Sequence, residues 1–230
     1  MLCTQDIERI KADWRACVWG HTLSEAQAER LLPTIKIAAV AAGDYIWRRG
    51  DASDQWVGMI SGSLKLCSTS PAGKAVTYTG MAYGWIGEDG MLTGKPRNCD
   101  AVALMDAVIA RLPAAVFLTM LDENPAFNRF VMRQMSERTQ QFMELTAFEK
   151  MLDPVAKVAR SLGALFNPWF FPPHSLELKV TQAEVADFCN MSRSRVNIAL
   201  KKLESEGLVK VAYNGTTIVD LEGLRRYAEV

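Results

Sequence analysis

Two stretches of this 230-residue chain hold residue types that can do chemistry. The first, Gly84 to Asn98, reads GWIGEDGMLTGKPRN, with Gly87 and Glu88 near one end and Arg97 and Asn98 near the other. A guanidinium fork with free backbone N–H groups suits a phosphate, and a carboxylate suits a sugar hydroxyl. The stretch is therefore either a pocket for a phosphorylated small molecule or a hairpin-like turn in which Arg97 pairs with Asp89, Glu88 or Asp100. Local charge does not favour an anion, because Glu88, Asp89 and Asp100 outnumber Lys95 and Arg97 by one.

The second stretch, residues 180–209, reads VTQAEVADFCNMSRSRVNIALKKLESEGLV. At about 100° per residue, Val196, Ala199, Leu200 and Leu203 gather on one side of a helix. Ser194, Asn197, Ile198 and Lys201 lie on the other, with Arg193 and Arg195 flanking the first turn. That polar face has the chemistry of a major-groove reader: Arg bonds guanine bidentately, Asn bonds adenine, and Ile touches a thymine methyl. Five basic against two acidic residues between Met191 and Lys210 supply a local attraction to phosphate.

Local signals predict the elements that position this face. Thr181 and Glu184 form a T-x-x-E capping box that opens a short helix, and Cys189, Asn190 and Met191 make the turn after it. Ser192 caps a second helix, which Gly207 and Leu208 close as a Schellman ending. Two capped helices around a short turn are a helix-turn-helix. Beyond them, Leu208 to Ala212 and Thr216 to Val219 flank Tyr213-Asn214-Gly215, a hairpin signal that reads as a wing. The candidate DNA contacts are Thr181, Ser192, Arg193, Ser194, Arg195, Asn197, Ile198, Lys201 and Asn214.

Upstream, the grammar is different. From about Ile35 to Leu118 short β-rich runs alternate with Gly, Pro, Asp and Ser, which predicts an antiparallel sandwich or barrel. Ser24 to Leu32 reads as a helix capped by Ser24. Pro125 to Leu152 has neither glycine nor internal proline and reads as one long helix. Val131, Met135, Arg138, Phe142, Leu145, Glu149 and Leu152 recur along it at alternating spacings of four and three, so the expected dimer seam holds Val131, Met135, Arg138, Phe142 and Leu145. Asp153-Pro154 then forms a hinge that ends this helix and starts the next.

Bulk composition excludes several classes. Twenty-six basic residues balance twenty-six acidic ones, so any nucleic-acid surface must be local. With 49% apolar residues, no apolar run of spanning length and no basic leader, the chain reads as a globular cytoplasmic protein. Five scattered cysteines without a CxxC pair argue against a disulfide framework and a metal cluster, leaving Cys3 and Cys17 as redox candidates. Haem ligation would fall to His21 or His174, the two histidines of the chain. The β-rich region has none, and no nucleophile, base and orienter set is evident, so no enzyme and no metal site is expected.

The whole arrangement resembles the Crp/Fnr superfamily of bacterial transcription regulators. GDYIWRRGD, residues 43–51, is similar to the family's early strand motif, ISGSLKL, residues 60–66, to its next hairpin, and MSRSRVNIALKKLESEGLV, residues 191–209, to its recognition helix. The resemblance implies an α+β fold in three parts. An N-terminal β-roll or jelly-roll sensor spans 1–122, a dimerisation helix 123–153, and a C-terminal winged helix-turn-helix 154–230. It also implies a homodimer on a palindromic operator in contact with RNA polymerase. Ser194 and Ile198 stand where many members carry Glu and Arg, so the operator sequence does not carry over.

In cyclic-AMP-binding relatives a Gly-Glu pair and an Arg-Ser or Arg-Thr pair hold ribose and cyclic phosphate, and Gly87, Glu88 and Arg97 match them. Asn98 replaces the hydroxyl residue. Phe142 and Met143 fall where a Thr-Ser pair reads adenine, and apolar groups there leave a purine amino group unpartnered. The cassette of Gly87, Glu88, Arg97, Asn98, Phe142 and Met143 is therefore expected to have lost or changed its ligand. No cofactor is certain, and the candidates are a cyclic nucleotide or another small effector. The alternative is a cyclic-nucleotide-responsive activator that works through Glu88 and Arg97.

Overall fold

The computed structural model describes residues 14–69, 75–81, 84–151, 153–167, 169, 176–178, 180–212 and 215–228. The chain divides into two compact units, residues 1–64 with 82–136, and residues 65–81 with 137–230.

In the first unit, β1 (Lys36–Val40), β8 (Ala107–Pro113), β3 (Gln55–Ser61) and β6 (Gly84–Ile86) form one antiparallel sheet in that spatial order. Lys36 pairs with Arg111, Trp56 with Leu112 and Gly58 with Trp85, which fixes the register. A second antiparallel pair joins β2 (Tyr45–Trp47) to β7 (Asp100–Ala103). Helix α1 (Glu25–Leu31) is capped by Ser24, as its sequence predicts, and Gln27 completes a capping box.

The core of this unit is aromatic. Trp56 and Phe117 are fully buried with ring centroids 5.0 Å apart, and the Trp56 and Trp85 rings lie 4.6 Å apart. Trp19 and Phe127 pack edge-on, at 5.6 Å. A Cβ on Gly58 would sit 2.4 Å from the Trp85 ring, so the residue beneath that indole must be glycine.

Residues 84–98 do not form a hairpin. Strand β6 leads through Gly87, at φ +94°, into a one-and-a-half-turn helix α2 (Glu88–Thr93), which Gly94 ends at φ +66°. Helix α3 (Ala114–Glu123) follows β8, and α4 (Pro125–Met151) is the long helix expected from the unbroken sequence. Asn124 starts α4 by accepting from Ala126 N and Phe127 N.

In the second unit, β4 (Leu64–Thr69) leads into β5 (Ala75–Met81), and β5 lies against α6 (Gln182–Phe188). Asp153 caps α5 (Pro154–Ala164) by accepting from Val155 N at 2.9 Å and Ala156 N at 3.2 Å. Val158, Ala159 and Leu162 of α5 pack with Val185 and Ala186 of α6 and with Val196, Ala199, Leu200 and Leu203 of α7 (Arg193–Ser205). A sheet in the order β10 (Val209–Ala212), β11 (Gly215–Ile218), β9 (Glu177–Leu178) and the short helix α8 (Leu221–Arg225) close this core. No helix among the described residues is long and apolar enough to cross a membrane.

Candidate nucleic-acid interface and effector cassette

Thr181 caps α6 as anticipated: its hydroxyl accepts from Glu184 N, and Glu184 Oε2 accepts from Thr181 N at 2.7 Å. Cys189 to Met191 make the turn, with Asn190 in the left-handed region at φ +47°. Ser192 Oγ accepts from Arg195 N and starts α7. At the other end Leu208 N donates to Leu203 O and Gly207 N to Glu204 O, each at 3.0 Å, with Gly207 at φ +76°. These two bonds make the Schellman ending that Gly207 and Leu208 predict.

The ends fix which way α7 faces. Val196, Ala199, Leu200 and Leu203 are buried in the unit's core, and Ser192, Arg193, Ser194, Arg195, Ile198 and Lys201 are exposed. Asn197 is half-buried between them. Ile198 leaves 65% of its surface in solvent, an unusual position for a branched apolar side chain unless something meets it. The two basic residues of the first turn stand at the helix N-terminus, where backbone N–H groups also favour a phosphate.

Ala212 pairs with Gly215 across the wing, so its two-residue connection is Tyr213-Asn214 rather than Asn-Gly. Asn214 lies outside the described residues, as do Cys3 and His174.

The structure brings Gly87, Glu88 and Arg97 together. Arg97 Nη1 donates to Gly87 O at 2.8 Å, Nη2 donates to Gln55 O, and the guanidinium lies 4.3 Å from the Trp47 ring centroid. Its hydrogen bonds thus end on main-chain carbonyls and not on Asp89, Glu88 or Asp100, the partners its neighbourhood in sequence suggests. Arg97 is 5% exposed, its Nε has no partner, and burial lowers its pKa against the opposing pull of Asp89, Asp54 and Glu88. Glu88, 3% exposed, accepts from Trp56 Nε1 at 3.1 Å. Ser53 Oγ is also buried without a partner, and a Cβ on Gly90 would overlap it. Asn98 is exposed.

Gln55 joins this set without any signal in its local sequence. Its carbonyl receives Arg97 and its side-chain Oε1 receives Arg111 Nη1 at 2.9 Å, so one residue orients two desolvated guanidinium groups.

Along the expected seam on α4, Val131 is 2% exposed, and Arg138 and Leu145 are half-buried. Met135 and Phe142 are exposed as expected, at 39% and 44%, and Met132 and Met143 join them at 58% and 68%. A helix with two apolar stripes shows the period of each, but the period does not say which stripe stays in solvent. Phe142 and Met143 also belong to the expected effector set, and both are largely exposed.

A family model for the cyclic nucleotide-binding domain matches residues 38–124, and one for the Crp-like helix-turn-helix domain matches residues 156–227. The chain belongs to the Crp/Fnr superfamily. The cAMP-activated global transcriptional regulator CRP of Salmonella typhimurium is 25% identical over 206 residues, covering 88% of this chain and 97% of its own. FixK2 from Bradyrhizobium japonicum has the same fold, with a TM-score of 0.72 at 10% identity over 85% of this chain and 98% of its own. The c-di-GMP responsive global regulator CLP of Xanthomonas campestris gives a TM-score of 0.60 at 18% identity, covering 85% and 99%. As a Crp-type protein the chain is a DNA-binding transcription regulator, with a cyclic-nucleotide-binding-type domain preceding the helix-turn-helix. Its relatives point to regulation of transcription and not to catalysis.

Proposed function

We propose that this Crp/Fnr regulator works as a homodimer that sets two copies of the Arg193 to Lys201 face on a palindromic operator in the cytoplasm. The exposed polar face of α7 over its buried apolar one carries this reading. Met132, Met135, Phe142 and Met143 supply the dimer stripe, because four large apolar groups in water on one long helix need a cover and a second copy of the same helix fits them. Residues 1–122 serve as sensor, 123–153 as dimerisation helix and 154–230 as DNA-binding domain. RNA polymerase is the expected further partner, by analogy with the family.

The sensor takes a small anionic effector at Arg97, whose guanidinium here is buried and bonded to the carbonyls of Gly87 and Gln55. A buried guanidinium with a free Nε favours an anion that would replace the Gly87 and Gln55 carbonyls, and Ser53, beside Gly90 of the same cassette, has a buried hydroxyl with no partner. CRP is cAMP-activated and CLP is c-di-GMP responsive, so cyclic AMP, cyclic GMP and cyclic di-GMP are the first compounds to titrate. Calorimetry on the intact protein tests this. Binding of one of them that Arg97→Ala abolishes supports the reading, and no heat with any of the three contradicts an effector of this class. Sedimentation velocity tests the dimer: Phe142→Glu should give monomers, and an unchanged sedimentation coefficient contradicts the stripe.

A further inference from the structure

Glu149 lies near the C-terminal end of α4, and its carboxylate holds two groups at once. Oε2 forms an ion pair with Nζ of Lys157, a residue of α5 that is 8% exposed. Oε1 accepts from Asn190 Nδ2 at 3.0 Å. Asn190 is the left-handed residue of the turn between α6 and α7, two positions before Ser192, the cap of the recognition helix. Its neighbour Cys189 is 1% exposed, with Ser161, Lys157 and Glu149 as the electrostatic neighbours of its thiol. One carboxylate therefore bridges the Asp153 hinge and ties the last turn of α4 to the turn that aims α7.

The arrangement is stiffer than an exposed hydrogen bond would be alone. A buried ammonium left without its anion is strongly unfavourable, so Lys157 fixes where the carboxylate sits. Asn190 then finds its acceptor already in place, and its left-handed backbone leaves the turn little room to re-form elsewhere.

We propose that Glu149 is a positioning residue for DNA recognition, clamping the recognition-helix turn to the long helix so that α4 dictates the separation and rotation of the two half-site readers. The clamp rests on the homodimer reading above, since only a dimer has two readers to hold in register.

The test uses a palindromic operator recovered by in vitro selection with the intact wild-type protein, and versions of it with one base pair added or removed at the centre. Each change turns one half-site by about 35° relative to the other. Asn190→Gly suits the left-handed turn and removes the side chain that carries the Nδ2 donor. Wild type should lose at least about tenfold in affinity on either altered spacing. Asn190→Gly should lose about tenfold on the selected operator, bind the altered spacings with almost no further penalty, and unfold at the wild-type temperature. A wild-type spacing penalty retained in Asn190→Gly overturns the clamp, as does a loss equal on all operators that comes with a lowered unfolding temperature. Equal binding of wild type to all three operators overturns the homodimer reading instead, and the clamp with it.

Discussion

Gly87 and Gly94 flank the same short helix in left-handed conformations, at φ +94° and +66°, yet replacing them with alanine should have different consequences. At Gly94 nothing lies within 4 Å of an added Cβ, so Gly94→Ala meets backbone strain alone, about 1–2 kcal/mol. At Gly87 the Cβ would overlap Arg97 Nη1, which donates to the carbonyl of Gly87 itself. Gly87→Ala therefore adds the loss of a hydrogen bond to a buried charged group, about 1.5–3 kcal/mol, for a total of about 2.5–5 kcal/mol. With a urea slope of about 2 kcal/mol/M, the midpoint of the sensor transition should fall by about 2 M for Gly87→Ala and by less than about 1 M for Gly94→Ala. Urea unfolding followed by tryptophan fluorescence reads this directly, because Trp19, Trp56 and Trp85 sit together in the sensor core. Equal shifts for the two variants would refute the claim that Arg97 is packed against Gly87.

Three further outcomes follow from the geometry. Leu200→Ala removes a fully buried side chain from the core shared by α5, α6 and α7, and should cost about 3–4 kcal/mol in urea unfolding of the DNA-binding unit. Ser192→Ala removes the acceptor for Arg195 N and should cost about 1 kcal/mol in the same measurement, while weakening operator binding more than thermal stability suggests, because the first turn of α7 carries Arg193 and Arg195. Burial pushes the Cys17 thiol up to about 11 and the Cys189 thiol up to about 12, from a usual 9.0. Both thiols should therefore resist a disulfide-exchange reagent at pH 8 until denaturant is added, with native thiolate fractions about 100-fold and 1000-fold below those of free cysteine. The protonated thiols stabilise the fold below about pH 9, and that contribution declines as pH rises toward about 11 and 12. Cys17 is half-buried and accepts from Trp85 Nε1 at 3.1 Å, and rapid labelling of the native thiol at pH 8 would contradict its raised pKa and revive it as a redox candidate.

The C-terminal domain was legible because its signals are local. Thr181 with Glu184, Ser192, and Gly207 with Leu208 each specify backbone hydrogen bonds within six residues of themselves, and each forms those bonds. The phase of α7 followed from four apolar residues on one side. In the sensor domain, the strands were readable from their turn spacing, but the cassette was not. Nearby sequence offers Arg97 either a ligand phosphate or the carboxylates of Asp89, Glu88 and Asp100, whereas its acceptors are the carbonyls of Gly87 and of Gln55, 42 residues away, and its ring contact is Trp47. Pairings across a sheet depend on register between distant strands, which no short window of sequence contains. Gln55 and Arg111 were missed for the same reason. On α4, Met132 and Met143 lie beside the expected seam, and only packing shows that they are exposed while Val131 is buried.

Operator binding across a salt series, followed by fluorescence anisotropy for wild type, Arg193→Ala and Arg195→Ala, probes the α7 face itself. If the exposed face of α7 reads DNA, each variant should lose about tenfold or more in affinity for the selected operator. A residue that touches phosphate should also reduce the slope of log affinity against log salt by about one unit. Wild-type affinity and an unchanged salt slope in both variants would contradict the assignment of α7 as the recognition helix.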